Sequence, residues 1–481
     1  MTHAEINVRR DITLDLYHRV AWQGHGVQLG AGAVDRMTKS REDFLRLLDG
    51  DPTVTIYGVT SGYGHQANVR LEGEARRAHA RTGPKRVVAA FGPAAPERVA
   101  RGIVLARLAN FIEGHAAVTP ALAVEVAALL NGTRLPKVSI AGQGGAGEIL
   151  WAGPLFAELG ERFPLAEKDA LSLVNGSPAA SALIADAAIA MRRRLSLVET
   201  IFALSAEAIL APLEAYDPAF EDLWGDPYEA EALRRLRSLL HGGARERRRY
   251  QAPVSYRILP RTLGQFRRVI AQAEEIAEGS LQSVTDNPVF LPPDAAHPLG
   301  RVHSNGGFHN ARAYPALDNL AAACADACAL AERHTTKLLD GRYSLLPDQL
   351  EDGDGHIGIL GFVQVGYAEE ARRHAQRTFL PGSEAGGFGQ NDVAPLTGLA
   401  WQAQEEAGRC LDAAMTTLAV VASQALHVTK RAATPALQDL LATVRGAFPP
   451  VTSARALSPD LAALMARFRR EIYDVTVDEG S

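Results

Sequence analysis

The stretches 97–130, 148–160, 178–214, 228–241, 263–279, 310–339, 358–378 and 396–428 carry aliphatic residues at helical spacing, with alanine on many of the remaining positions. Several are apolar on every face. A helix of that kind cannot lie against water and must be covered by other helices, so the chain is predicted to form an all-α bundle of long helices, with subunits sharing one core. Ahead of 97 the character differs. Glycine and proline interrupt the chain, and β-branched pieces such as Thr53-Val54-Thr55-Ile56 predict short strands. The expected organisation is a small mixed N-terminal region at 1–96, a central bundle at 97–429 and a helical appendage at 430–481. The polar, Arg-dense stretch 242–262 reads as a solvated connector between helices.

With 47% hydrophobic residues there is ample material for a large core, and a formal charge of −5 argues against a nucleic-acid binder. Cys324, Cys328 and Cys410 are too few for a disulfide framework; the first two, one helical turn apart in an Ala-rich stretch, read as buried packing rather than metal ligands. The first residues lack the apolar run of a signal peptide, and no segment is expected to supply the roughly 20 apolar residues of a membrane span. A cytoplasmic protein that needs no metal is the expectation.

The first element that bears on chemistry is Tyr57-Gly58-Val59-Thr60-Ser61-Gly62-Tyr63-Gly64, a tyrosine entering a loop whose glycines permit unusual backbone angles. Gly142-Gln143-Gly144-Gly145-Ala146-Gly147-Glu148 then runs into an apolar helix, which would aim main-chain N–H groups and a helix dipole at an anion. It lacks the Lys-Ser/Thr of a phosphate-binding loop. A basic stretch, Arg76, Arg77, His79, Arg81, Lys85 and Arg86, reads as a solvated face, the alternative being a surface that attracts an anionic or carrier-tethered substrate.

In their order and spacing these elements resemble the ammonia-lyase family that includes histidine and phenylalanine ammonia-lyases. The tyrosine loop is similar to that family's Tyr-Gly-Ile-Asn-Thr-Gly-Phe-Gly, whose tyrosine is the catalytic base. Leu171-Ser172-Leu173-Val174-Asn175-Gly176-Ser177 resembles the segment that supplies an active-site asparagine. Gln251 to Arg257 falls on Gln-Asp-x-Tyr-Ser-Leu-Arg, whose arginine binds the substrate carboxylate. Ser283 to Pro288, Ser304 to His309 with Phe308, and Gln390-Asn391-Asp392 match further segments. The resemblance implies an ammonia-lyase (fumarase/aspartase-like) fold and a homotetramer of two-fold symmetry in which each site draws on three subunits. It also implies a small carboxylate as substrate, held by Asn175, Gln251, Arg257, Phe308, Gln390 and Asn391.

The departures from the family pattern gather in one pocket. The family's Ala-Ser-Gly tripeptide cyclises and loses water to give the electrophile methylidene-imidazolone, whose methylidene carbon comes from the serine side chain. Here the tripeptide aligns as Gly145-Ala146-Gly147, and alanine has no hydroxyl to eliminate, so no cofactor is expected. Val254 stands in place of a tyrosine, Asn391 in place of a glutamate, and Val87 where histidine lyases carry a pocket histidine.

Without the electrophile, what remains is Tyr57 for proton transfer, Arg257 as a carboxylate clamp and the amides of 144–147 for developing negative charge. A tyrosine ionises near pH 10 on its own and needs help to act as a base. The helix beginning near Glu148 and the charge of Arg257 are the expected sources of it. This set suits elimination of a good leaving group such as a trialkylammonium, or an addition, isomerisation or cyclisation on an already activated acceptor. The competing class is a catalytically silent homologue that binds a ligand or partner. Asn391 leans towards that class, and retention of Tyr57, Asn175, Arg257 and Phe308 leans against it.

Overall fold

The computed structural model describes residues 3–248, 251–380, 389 and 391–474. The N-terminal region pairs β1 (His3–Ile6) with β2 (Gly26–Leu29) in parallel, with α1 (Leu14–Tyr17) and a π-helical turn between them, followed by α2 (Ala31–Gly50) and α3 (Gly73–Ala80). The segment 53–56 is not a strand. Thr60 folds back over it, its Oγ1 accepting from Ile56 N and donating to Val54 O, so a turn consumes the polar groups that a strand would offer.

From residue 97 the described chain is mostly helical, as its periodicity predicts. α4 (Glu97–Ile112) and α5 (Pro120–Ala128) divide the first apolar stretch, because Gly114 takes φ +85° and Pro120 opens a new helix. α6 (Ile149–Arg162) and α7 (Asp169–Val174) lead into α8 (Pro178–Ala208), and α9 (Ala219–Trp224), α10 (Pro227–Leu240), α11 (Val254–Arg257) and α12 (Leu259–Leu281) follow. A hairpin of β3 (Val289–Leu291) and β4 (Arg301–His303) precedes α13 (Ala313–Leu339), α14 (Gly341–Ser344), α15 (Leu360–His374) and α16 (Thr397–Val428). α17 (Gln438–Ala447) and α18 (Ser458–Tyr473) close the described chain. A continuous core runs from the N-terminal region to α18, Ile6 and Phe468 included, with α3 and the β3–β4 hairpin outside it.

Two stretches, 169–208 and α16, are by composition long and apolar enough to cross a membrane, which the sequence reading did not anticipate. Of their most apolar windows, 94% and 89% is buried inside the protein, the placement of core helices. The three cysteines are also buried, and burial pushes their thiols up.

The Arg-dense connector is not simply solvated. Arg247 and Arg248 donate to the carbonyls of Ala211 and Ile209 just past the end of α8, and Arg431 donates to Glu207 O and Ala208 O. Free carbonyls at a helix C-terminus carry partial negative charge, and guanidinium groups answer it. α11 and the first residues of α12 lie within that stretch.

Inside the bundle a second ionic cluster joins helices distant in sequence. Arg194 on α8 meets Asp412 on α16 through Nε at 2.9 Å and Nη2 at 3.2 Å, and its Nη2 also donates to Tyr473 Oη of α18 at 2.6 Å. Arg98 on α4 donates to Asp186 on α8 at 2.8 Å, which also accepts from Trp22 Nε1. Removing one member of a buried pair strands the other. Asp412→Ala should therefore lower the free energy of unfolding by about 3–5 kcal/mol in urea titration; a change within about 0.5 kcal/mol would place the pair among interactions that hold nothing.

Candidate active site

The tyrosine loop is anchored by a small separate core, in which Ile56 and Val59 pack with Phe44, Leu47, Leu48 and Phe290. Val59, Thr60 and Ser61 all donate their N–H groups to Ile56 O, which fixes a tight turn around half-buried Tyr57. Gly58, at φ +69°, is required here: a Cβ would lie 2.4 Å from the Tyr63 ring and 2.9 Å from Leu171 Cδ2. Tyr63 stands edge-on to Tyr57 at 6.0 Å between centroids, and burial pushes its hydroxyl up to about 12. The hydroxyl of Tyr57 accepts a hydrogen bond from Gly64 N at 3.1 Å. A main-chain N–H at an oxygen favours negative charge on it.

The glycine loop takes positive φ at Gly142, Gly145 and Gly147, and Cβ atoms at Gly142, Gly144 and Gly145 would meet nothing within 4 Å. It is an open loop, and it runs into α6 at Ile149 as expected. Glu148 does not cap its own helix. Its carboxylate reaches the first turn of α8 and accepts from Ala179 N at 2.7 Å and Ala180 N at 3.0 Å. Burial drives the Glu148 carboxyl from its ordinary 4.5 up to about 8, against the opposing pull of those N–H bonds and of Arg107.

Asn175 closes α7, just ahead of α8. Its Nδ2 donates to Asn287 O, and its own carbonyl accepts from Arg107 Nη1. Ser177 N donates to Thr285 Oγ1 and Ser177 Oγ to Gly307 O, while Asn305 donates to Asn287 Oδ1 and Asp286 O. These bonds draw 285–287 and 304–308 against the start of α8. Half-buried Phe308 lies beside the glycine loop, 3.8 Å from where a Cβ on Gly147 would stand. Gly58 touches Leu171 of α7 on the other side. One chain thus gathers Tyr57, the 144–147 amides, Asn175 and Phe308 at the N-terminal end of α8.

Arg257 is not in that group. Its neighbour Tyr256 is buried, sharing a hydrogen bond with Ser205 Oγ at 3.1 Å and stacking on His334. Pro178 to Ser205 is most of the 31-residue α8, roughly 40 Å at about 1.5 Å rise per residue. Arg257 therefore sits near the far end of the bundle, with Gln251 and Val254 beside it and exposed, and its Nε bonds Ala252 O at 3.1 Å. Within one chain it cannot supply the charge expected near Tyr57, and the group on Tyr57 is the Gly64 N–H. Val87 packs against α6, its carbonyl 2.8 Å from a Cβ on Gly153. Asn391 is half-buried ahead of α16, and Gln390 lies outside the described residues. In the basic stretch exposed Arg77 and Lys85 pair with Glu74 and Glu161, as a solvated face would, but Arg76 and His79 are half-buried, Arg76 beside Glu167 and the His79 ring 4.3 Å from that of Tyr63.

No motif in the sequence gives a role to Glu148, Arg107, Lys168 or Asp286. Arg107 and Asn110 were the visible signal, polar residues in the otherwise apolar run Ile103 to Ile112. Lys168 Nζ donates to Asp286 Oδ2 at 2.5 Å, both side chains fully buried. No group of three or more His, Cys, Asp or Glu side chains suited to a metal occurs among the described residues.

Glu148 makes stability depend on pH. Unfolded, it ionises near 4.5; folded, it keeps its proton to about 8. The stabilisation from that proton is complete below pH 4.5, declines as pH rises through the window and is gone above about 8. Glu148→Gln keeps an acceptor for α8 but cannot ionise, so the melting temperature of the parent relative to this variant should fall from about pH 5 to pH 8. A flat difference would mean that Glu148 is ionised in the fold throughout.

A family model described as aromatic amino acid lyase matches residues 12–159 and 147–446. Histidine ammonia-lyase of Streptomyces avermitilis is 28% identical over 94% of this chain and 93% of its own length. Tyrosine ammonia-lyase of Cereibacter sphaeroides is 28% identical over 95% and 96%. Among solved structures, ergothionase of Treponema denticola, an ergothioneine-degrading enzyme, superposes with a TM-score of 0.89 at 18% identity over 98% of this chain and 99% of that one. Tyrosine aminomutase of Streptomyces globisporus gives 0.84 at 20% identity over 99% and 100%.

Proposed function

Since the chain belongs to the aromatic amino acid lyase family, we propose that it is a carbon–nitrogen lyase that works without methylidene-imidazolone, on a small amino-acid-derived carboxylate carrying its own activation. The observation that carries this reading is Ala146. It stands where the family's serine supplies the methylidene carbon, and its methyl group has no oxygen to lose. Residues 145–147 therefore do not fit the cofactor, and no step passes through it.

The reaction that suits the remaining groups is β-elimination of a trialkylammonium. Tyr57 acts as its phenolate: Oη takes the β-proton and becomes the phenol, the carbon–carbon double bond forms, and the carbon–nitrogen bond breaks with its electron pair leaving on the neutral amine. Such an amine is a far better leaving group than ammonia held by an unactivated amino acid. The Gly64 N–H answers charge on Tyr57, and the loop amides answer charge on the substrate. Likeness in fold to an ergothioneine-degrading enzyme is consistent with a betaine substrate, ergothioneine itself being a trimethylammonium betaine.

The site is completed between subunits of a homotetramer. Arg257 lies too far along α8 to serve the Tyr57 of its own chain, so the carboxylate clamp comes from a neighbour. The exposed apolar side chains of Ile359, Phe362 and Val365 on and beside α15 support such an assembly.

Purified protein offered aromatic amino-acid betaines should release trialkylamine and an aryl acrylate. Tyr57→Phe should lower kcat by about 10²–10⁴-fold with fold and assembly intact. Full activity in that variant would make Tyr57 a loop residue only, and no turnover by the parent on any betaine or activated acceptor would favour the silent homologue. Shared sites make a second prediction. Tyr57→Phe and Arg257→Ala, each inactive alone, should regain activity when dissociated and reassembled together; a mixture as inactive as its components would place both residues in one subunit's site.

A further inference from the structure

Arg107 on α4 is fully buried. Its Nη1 donates to Asn175 O, whereas Nε and Nη2 have no protein partner among the described residues. Asp286, in the loop after α12, is equally buried. Its Oδ2 is taken by Lys168 Nζ and by Ser172 Oγ at 2.9 Å, and its Oδ1 has no partner. Asn110, one turn on from Arg107 in α4, accepts from Thr285 N beside Asp286, and Asn175 bonds both Arg107 and Asn287, so the orphan donors and the orphan acceptor belong to one neighbourhood.

Buried polar groups are nearly always satisfied, and the usual partner where protein supplies none is an ordered water with two to four bonds. Water suits both sides here, accepting from the guanidinium and donating to the carboxylate. A halide accepts from Arg107 but has nothing to give Asp286, and would stand beside acidic side chains. A metal cation would meet Arg107 and Lys168.

We propose that a bound water bridges the free N–H groups of Arg107 to Asp286 Oδ1, and that Arg107, braced in this way, is the positioning residue for Asn175. Asn175 is held from two directions, through its carbonyl by Arg107 and through its Nδ2 by Asn287 O. Asp286 and Asn287 are adjacent, so the water ties α4 to the same loop that holds the Asn175 amide. With Nδ2 committed to Asn287, the oxygen of the carboxamide is the atom offered outward. That Asn175 touches substrate rests on the proposed function; the water and the orientation of Asn175 do not.

The test compares high-resolution crystal structures of the assembled parent protein and Arg107→Lys, which keeps the charge but not the fork. The parent should show water density within about 3.2 Å of Arg107 Nε or Nη2 and of Asp286 Oδ1, with no anomalous peak there in bromide-soaked crystals. In Arg107→Lys the Asn175 peptide should turn. Its affinity for trans-cinnamate, used as an aryl acrylate probe, should fall about tenfold, the scale of one hydrogen bond. A direct Arg107–Asp286 ion pair, or bromide in the space, overturns the water. An Asn175 unmoved in the variant, or a lowered melting temperature with unchanged affinity, overturns the positioning role. If Arg107→Lys does not fold, Arg107→Gln makes the same comparison. Failure of the parent to bind the probe counts against the proposed function, and the crystal structures still decide the water and the orientation.

Discussion

Both ends of the helix α8 are bonded by side chains from other elements, and the placement of Tyr57, the 144–147 amides, Asn175 and Phe308 at one end and Arg257 towards the other follows from it. At its N-terminus the Glu148 carboxylate accepts the Ala179 and Ala180 N–H groups; at its C-terminus Arg247, Arg248 and Arg431 cover the last carbonyls and those just beyond. A helix dipole favours this distribution of sign. Burial opposes it at the acidic end, and burial prevails there, since the Glu148 carboxyl is held near 8. The glycine loop is thereby tied to the head of a rigid 31-residue rod rather than hanging from the surface.

The same rod keeps the candidate groups apart. The tyrosine loop, Asn175, Phe308 and the 144–147 amides sit at its head, and Arg257 sits towards its foot beside Tyr256 and Ser205. A straight helix of that length cannot be bent to join them within one chain. The ionic cluster of Arg98, Asp186, Arg194 and Asp412 locks α4, α8 and α16 in register and lets the separation persist.

Long helices were legible in the sequence because their composition leaves one solution: residues such as 179–191 are apolar almost all round, and only a bundle interior accepts them. Local exceptions were less legible. The β-branched residues of 53–56 favour a strand in isolation, but the Thr60 hydroxyl competes for the same backbone groups. The break at Gly114 to Pro120 was written in residue types and overridden by the apolar pattern on either side. In the site, Tyr57, Asn175 and Phe308 could be picked out from ordered motifs, whereas the partner of Glu148 lies some 30 residues on and is set only by how α6 meets α8. The position of Arg257 depends on the direction of α8, which no motif records.

The claim on which this account turns is that residues 145–147 remain an ordinary Gly-Ala-Gly peptide in a protein that catalyses elimination. The most direct measurement is the intact mass of the purified protein, with the peptide spanning Gly142 to Glu148 sequenced from the same sample. The account predicts the mass of the encoded chain and an unmodified peptide; a deficit of about two waters localised to that peptide, the signature of cyclisation with dehydration, would contradict it.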